Sequence, residues 1–100
     1  MKYQEVNTPK KLKEGQLRVW HKPQLPIHSF YVYVASIEEA GLILETLAVY
    51  DLFQLEYQIK PDYSNVQGLD VYEDGEWVEW MDDDGDDIDS TELLQENKDE

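Results

Sequence analysis

Leu69-Asp70-Val71-Tyr72-Glu73-Asp74-Gly75-Glu76-Trp77-Val78-Glu79-Trp80 is the stretch on which the fold turns. An Asp-Gly pair flanked by β-forming residues suits a two-residue hairpin turn whose central residues both take positive φ. Such a turn sets Glu73 opposite Glu76, Tyr72 opposite Trp77, Val71 opposite Val78, Asp70 opposite Glu79 and Leu69 opposite Trp80. Because side chains alternate along a strand, Leu69, Val71, Val78 and Trp80 share one face and read as core. Asp70, Tyr72, Trp77 and Glu79 share the other.

Toward the N-terminus, Gln16 to Lys22 alternates in the same way, with Leu17 and Val19 on one side and Arg18, Trp20 and Lys22 on the other. Pro23 and Pro26 make a stiff connection. A second strand follows, in which Phe30, Val32 and Val34 alternate with Tyr31, Tyr33 and Ala35. Ser36-Ile37-Glu38-Glu39 is a capping box: the serine hydroxyl accepts from the Glu39 amide, and the glutamate reaches back to the serine amide. It predicts a helix with Ile37, Ala40, Ile43 or Leu44, Leu47 and Ala48 toward the sheet, and with Glu38, Glu45 and Asp51 largely outside that stripe. Asp51 would end it and cap a short second piece through Leu52, Phe53, Leu55 and Ile59, before Pro61, Asp62, Ser64 and Asn65 break the pattern.

The predicted fold class is therefore α+β in two layers, a four-stranded, mainly antiparallel sheet with one main helix on one face, in β-β-α-β-β order. Residues 1–15, with Lys10, Lys11 and Lys13, read as a basic N-terminal arm. Residues 16–81 form the domain, and 82–100 an acidic, disordered tail with Ile88, Leu93 and Leu94 as its few apolar residues.

Charge is distributed unevenly. From Asp70 to Glu100 there are fifteen carboxylates and one cation, Lys98, whereas the first 69 residues hold eight acids against seven bases. Such a surface repels nucleic acid and anionic lipid and attracts basic partners at long range. The chain has no cysteine, so disulfides and thiolate metal sites are excluded, and a reducing, cytoplasmic setting is expected. The N-terminus lacks the apolar stretch of a signal peptide, and no run approaches a membrane span in length.

Enzyme chemistry finds no foothold. His21 and His28 flank the proline segment without a nucleophile or a metal-binding spacing, and no glycine-rich phosphate loop is present. If Gly85 held the sixth place of a calcium loop, Trp80 and Thr91 would fall at the first and twelfth, where neither can serve. No cofactor or metal is expected. Binding is expected instead, through an acidic surface made of Asp70, Glu73, Asp74, Glu76 and Glu79 on the hairpin and Asp82, Asp83, Asp84, Asp86, Asp87 and Asp89 beyond it. Its partner would be a basic protein surface, including one that binds nucleic acid, with the carboxylates standing in for phosphates as in a DNA mimic.

A second feature is the sheet face away from the helix, where Arg18, Trp20, Lys22, Tyr31, Tyr33, Tyr72 and Trp77 would gather. Aromatic surface of this extent marks a subunit interface or a ligand platform. It supports two alternatives: a homo-oligomer that sequesters a nucleotide-like ligand, with Arg18 and Lys22 for phosphate, or a structural component of a particle. Asp70 against Glu79, and Glu73 against Glu76, would repel across the hairpin, so compensation is needed from Arg18, Lys22 or a partner.

Leu17-Arg18-Val19-Trp20, Gln24 and Pro26, Phe30 with Val32 and Val34, Tyr50-Asp51-Leu52-Phe53-Gln54, Lys60-Pro61-Asp62-Tyr63-Ser64-Asn65, Gly68-Leu69, Glu76-Trp77 and Asp86-Asp87-Ile88 together resemble a family of short phage and prophage proteins. Some members are labelled superinfection-exclusion or immunity proteins, and the likeness spans roughly residues 12 to 89. The resemblance implies a non-enzymatic phage protein that inhibits a host system. His21, following Trp20, departs from the aromatic residue of the family pattern.

Overall fold

The computed structural model describes residues 4–22, 28–57 and 66–94. Six elements follow in chain order: β1 (Glu5–Val6), β2 (Leu17–Lys22), β3 (Phe30–Val34), α1 (Ile37–Glu56), β4 (Val66–Glu73) and β5 (Glu76–Glu79). The strands form one sheet in the order β1-β3-β2-β4-β5. It is a mixed sheet, because β1 runs parallel to β3 while the remaining neighbours are antiparallel. The α+β class and the single main helix agree with the sequence, but the expected four-stranded sheet gains a fifth strand.

That strand lies within the stretch read as a loose arm. Two residues are too short to show alternation, and β1 is held largely by backbone. Asn7, at φ 63°, turns the chain behind it and donates from its side chain to the Tyr33 carbonyl at 3.1 Å. Farther along, the Gly15 amide donates to the Tyr72 carbonyl and the Tyr72 amide to the Gln16 carbonyl, at 2.8 and 2.9 Å. The residues before β2 are thus tied to β3 at one point and to β4 at another.

The β4–β5 hairpin has the register that the Asp-Gly turn requires, with Asp74 and Gly75 at φ 53° and 82°. Next to it, β2 sits at the centre and pairs Val19 with both Val32 and Leu69. The helix-facing side carries the core of Val19, Val34, Ala40, Leu44, Leu69 and Ile88, with Leu17, Val32, Ile37, Ile43, Trp80 and Leu94 packed around it. Val78, on the edge strand beyond the reach of the helix, is more exposed than a core position.

Ser36 caps α1 by accepting from the Glu39 amide at 3.1 Å, and Glu39 accepts from the Ala35 amide at 2.7 Å, one residue earlier than the capping box predicts. The helix does not stop at Asp51; it runs unbroken to Glu56. Nor does Asp51 lie outside the buried stripe. It is 2% exposed, on the sheet side. Seven residues separate it from Leu44, two turns of helix, so both occupy one face. The piece expected to hold Leu55 and Ile59 falls partly at 58–65, outside the described residues.

The expected disordered tail also differs. Residues 82–94 fold back over the helix side of the sheet: Ile88 and Thr91 are buried, Leu94 packs on the core, and 92–94 form a helical turn.

Candidate functional site

Arg18 organises the outer face of the sheet. It stands between Tyr31 of β3 and Trp77 of β5, with its guanidinium carbon 4.0 Å from each ring centre. Its Nε donates to Asp70 Oδ2 on β4 at 3.3 Å. Trp77 in turn packs on Tyr72 at 5.1 Å and meets Tyr33 edge-on at 6.0 Å, leaving Tyr33 buried. Alternation places these residues here, because Arg18, Tyr31, Tyr33, Asp70, Tyr72 and Trp77 all fall on the face opposite the helix.

Trp20 lies beside this cluster, across Gly68 of β4. A side-chain carbon on Gly68 would come within 2.7 Å of the indole nitrogen, so glycine is what lets the ring settle there. Lys22 ends β2 opposite Val66, apart from the cluster. Of the predicted aromatic face, five residues therefore meet, Trp20 flanks them and Lys22 does not join. Arg18 supplies compensation at Asp70, opposite Glu79, whereas Glu73 and Glu76 oppose each other with no cation paired to them among the described residues. The Arg18 Nε is bonded to Asp70 and its plane lies between two rings.

The acids divide into two groups. Asp82 and Asp87 turn their carboxylates inward onto backbone: Asp82 accepts from the amides of Asp84 and Asp86, both at 2.9 Å, and from the Thr91 hydroxyl at 2.7 Å. Asp87 accepts from the amides of Asp89 and Ser90, both at 3.1 Å. The Thr91 hydroxyl bond, followed by the backbone amides, holds the Asp82 carboxyl below its usual range. Gly85 closes the turn at φ 85°.

The remaining acids face water. Glu73 and Glu76 oppose each other at the hairpin tip, where the Asp74 amide donates to the Glu14 carboxylate at 3.2 Å. Glu79, Asp83, Asp84 and Asp89 are exposed and Asp86 is half-buried. Partial desolvation of an otherwise exposed carboxyl, and then the neighbouring Asp87, push Asp89 up. Burial also raises Asp70, outweighing the Arg18 contacts that lower it. Among the described residues, Asp70 has a basic partner in Arg18, and no cation pairs with Glu73, Asp74, Glu76, Glu79, Asp83, Asp84, Asp86 or Asp89. No three acids or histidines among them are grouped to hold a metal ion.

Sequence reasoning passed over two features. One is a buried polar chain in which His21 Nε2 lies 3.0 Å from Asp51 Oδ2, His21 Nδ1 lies 2.7 Å from Gln67 Oε1, and Gln67 donates to the Leu44 carbonyl at 3.1 Å. The other is the outward side of α1, where Leu42, Val49, Tyr50, Leu52, Phe53 and Tyr57 are each more than half exposed. No helix among the described residues is long and apolar enough to cross a membrane.

Residues 16–99 match the family model for superinfection exclusion gene product 17. The chain is also similar to the superinfection exclusion protein of Salmonella phage P22, with 40% identity over 78 residues, covering 65% of this chain and 76% of that protein. No solved structure matches.

Proposed function

The chain belongs to the superinfection exclusion gene product 17 family, and from that premise we propose that it acts in excluding a second phage as a non-enzymatic binding protein. Its acidic surface occupies a basic surface of a host factor, including one that otherwise holds nucleic acid. The observation that carries this reading is the set of acids without cationic partners among the described residues, mounted on an ordered hairpin and loop. Carboxylates fixed in place present charge to a partner without the ordering cost that a disordered segment incurs on binding.

Association of this kind is steered by long-range charge, so its rate falls steeply as salt rises. The test is exclusion of a challenging phage by cells producing the chain, compared with a variant carrying Glu73→Gln, Glu76→Gln, Asp83→Asn, Asp84→Asn and Asp89→Asn. These positions lie at the surface, so the variant folds, and it loses exclusion while binding less of the host factor at low salt. Full exclusion by the folded variant would remove the acidic surface from the mechanism.

A further inference from the structure

We infer that the depression on the outer sheet face lined by Trp20, Ser29, Tyr31, Asp70 and Glu79 is a receptor for one basic side chain, a guanidinium or ammonium group, of a protein partner. The inference rests on the reading above and gives it a specific anchor. The depression is open to solvent and has a volume of about 420 Å³, room for an arginine or lysine head and part of its stem. Two of its walls are aromatic rings, whose faces attract cations. Two more carry carboxylates, which accept charge-assisted hydrogen bonds.

The fold itself contains the precedent. Arg18 is already held between the Tyr31 and Trp77 rings with Asp70 as its acceptor. Tyr31 and Asp70 are shared: they bind the protein's own guanidinium and also line the open depression, to which Trp20 adds a second ring and Glu79 a second carboxylate. Formal charge supports the same occupant. Arg18 is balanced by Asp70, and Glu79, exposed directly across from Asp70, has no cationic partner among the described residues. One incoming positive group balances it. An anion would meet two carboxylates, and a hard metal ion would find too few oxygens for the six to eight it prefers.

The position is built. With no side chain on Gly68, the Trp20 indole packs onto that residue, its nitrogen 2.7 Å from where a Cβ would stand, and it lines the depression together with Asp70.

The test is a nuclear magnetic resonance titration of the full chain with N-acetyl-arginine methylamide, its lysine counterpart and its citrulline counterpart, the last a neutral match in shape to arginine. The expected result is saturable shifts at the Trp20 indole N–H and the Ser29 and Glu79 amides with the cationic compounds, with a dissociation constant of about 1 mM. Citrulline should bind about tenfold more weakly. Glu79→Gln, on the exposed edge strand, should weaken the arginine compound about fivefold or more, whereas Glu76→Gln, outside the depression, changes it less than about twofold.

Equal binding of citrulline and arginine, or an unchanged constant in Glu79→Gln, overturns the receptor. The two readings fail separately. If the arginine compound saturates the depression while the surface-neutralised variant still excludes phage, the receptor stands and the broad acidic mechanism falls. If that variant loses exclusion and neither cation shifts the Trp20 signal, the receptor falls alone.

Discussion

His21 on β2 and Asp51 on α1 meet inside the protein, Nε2 to Oδ2 at 3.0 Å, with 1% and 2% of their surfaces exposed. Gln67 donates to the Leu44 carbonyl while its side-chain oxygen lies 2.7 Å from His21 Nδ1, so the imidazole bridges Gln67 and Asp51 through its two ring nitrogens. The link ties the C-terminal half of the helix to the central strand of the sheet. Removing one partner leaves the other buried without its bond, so Asp51→Ala should cost about 3–5 kcal/mol. His21→Leu combined with Asp51→Leu should cost less than the sum of the single changes, with a coupling of about 1–3 kcal/mol. Urea unfolding midpoints at constant slope check this, and additive losses would show that the pair is not coupled.

Arg18 gives a second expectation. Its planar group fits between Tyr31 and Trp77 while its Nε holds Asp70, and lysine can reproduce neither the stacking nor that fixed geometry. Arg18→Lys should lower stability by about 1–2 kcal/mol. Arg18→Ala should cost more, since Asp70 and Glu79 then oppose each other uncompensated. Chemical unfolding followed by tryptophan fluorescence gives the order; a lysine variant as stable as the parent would mean that the sandwich contributes nothing.

Acid should act on Asp82 and Asp70 with opposite sign. Held below 3.8 when folded, Asp82 contributes stability that is present above that value and lost as pH falls through its folded pKa. Asp70 lies above 3.8 when folded, so its ionised form costs stability above the folded pKa, and that cost is relieved as pH falls through the window down to 3.8. Asp82→Asn should therefore flatten the acid loss and Asp70→Asn should steepen it. Unfolding midpoints from about pH 6 to about pH 3 read both slopes, and parallel curves for the two variants would contradict the assignment.

Gly68→Ala should act on the outer face and spare the core. The added carbon would fall within 2.7 Å of the Trp20 indole nitrogen, so the ring must swing off β4. Such crowding costs about 1–3 kcal/mol and should red-shift the Trp20 emission. An unshifted spectrum at unchanged stability would place the ring elsewhere.

Legibility in the sequence followed the range of the interactions. The hairpin register was readable because Asp74-Gly75 demands a backbone geometry that few dipeptides supply, and the start of α1 because Ser36 and Glu39 act within one turn. Arg18 was placed on the correct face by alternation alone. Asp51 was misread because its partner lies thirty residues away on another element, although its seven-residue spacing from Leu44 was a usable signal. The folded segment after Met81 was hidden by composition. A run of aspartates reads as solvated, yet Asp82 and Asp87 use their carboxylates to cap backbone amides, which lets Ile88 reach the core. The Glu5–Val6 strand had no side-chain signature to find.

The outward side of α1 leads to a final expectation. Leu42, Val49, Phe53 and Tyr57 recur at spacings of seven and four residues, which puts them on one side of the helix, and their exposures run from 51% to 66%. The opposite side carries the buried Ala40, Leu44 and Asp51. A helix that is apolar on both sides is ordinarily covered on both, and an exposed patch of this kind binds apolar probes. Leu42→Gln with Phe53→Gln should leave unfolding free energy within about 0.5 kcal/mol of the parent, as exposed substitutions do. The same change should cut binding of a fluorescent apolar dye severalfold. Dye binding that persists in the double variant would mean that the sticky surface lies elsewhere, whereas a large loss of stability would show that these side chains pack against the protein itself.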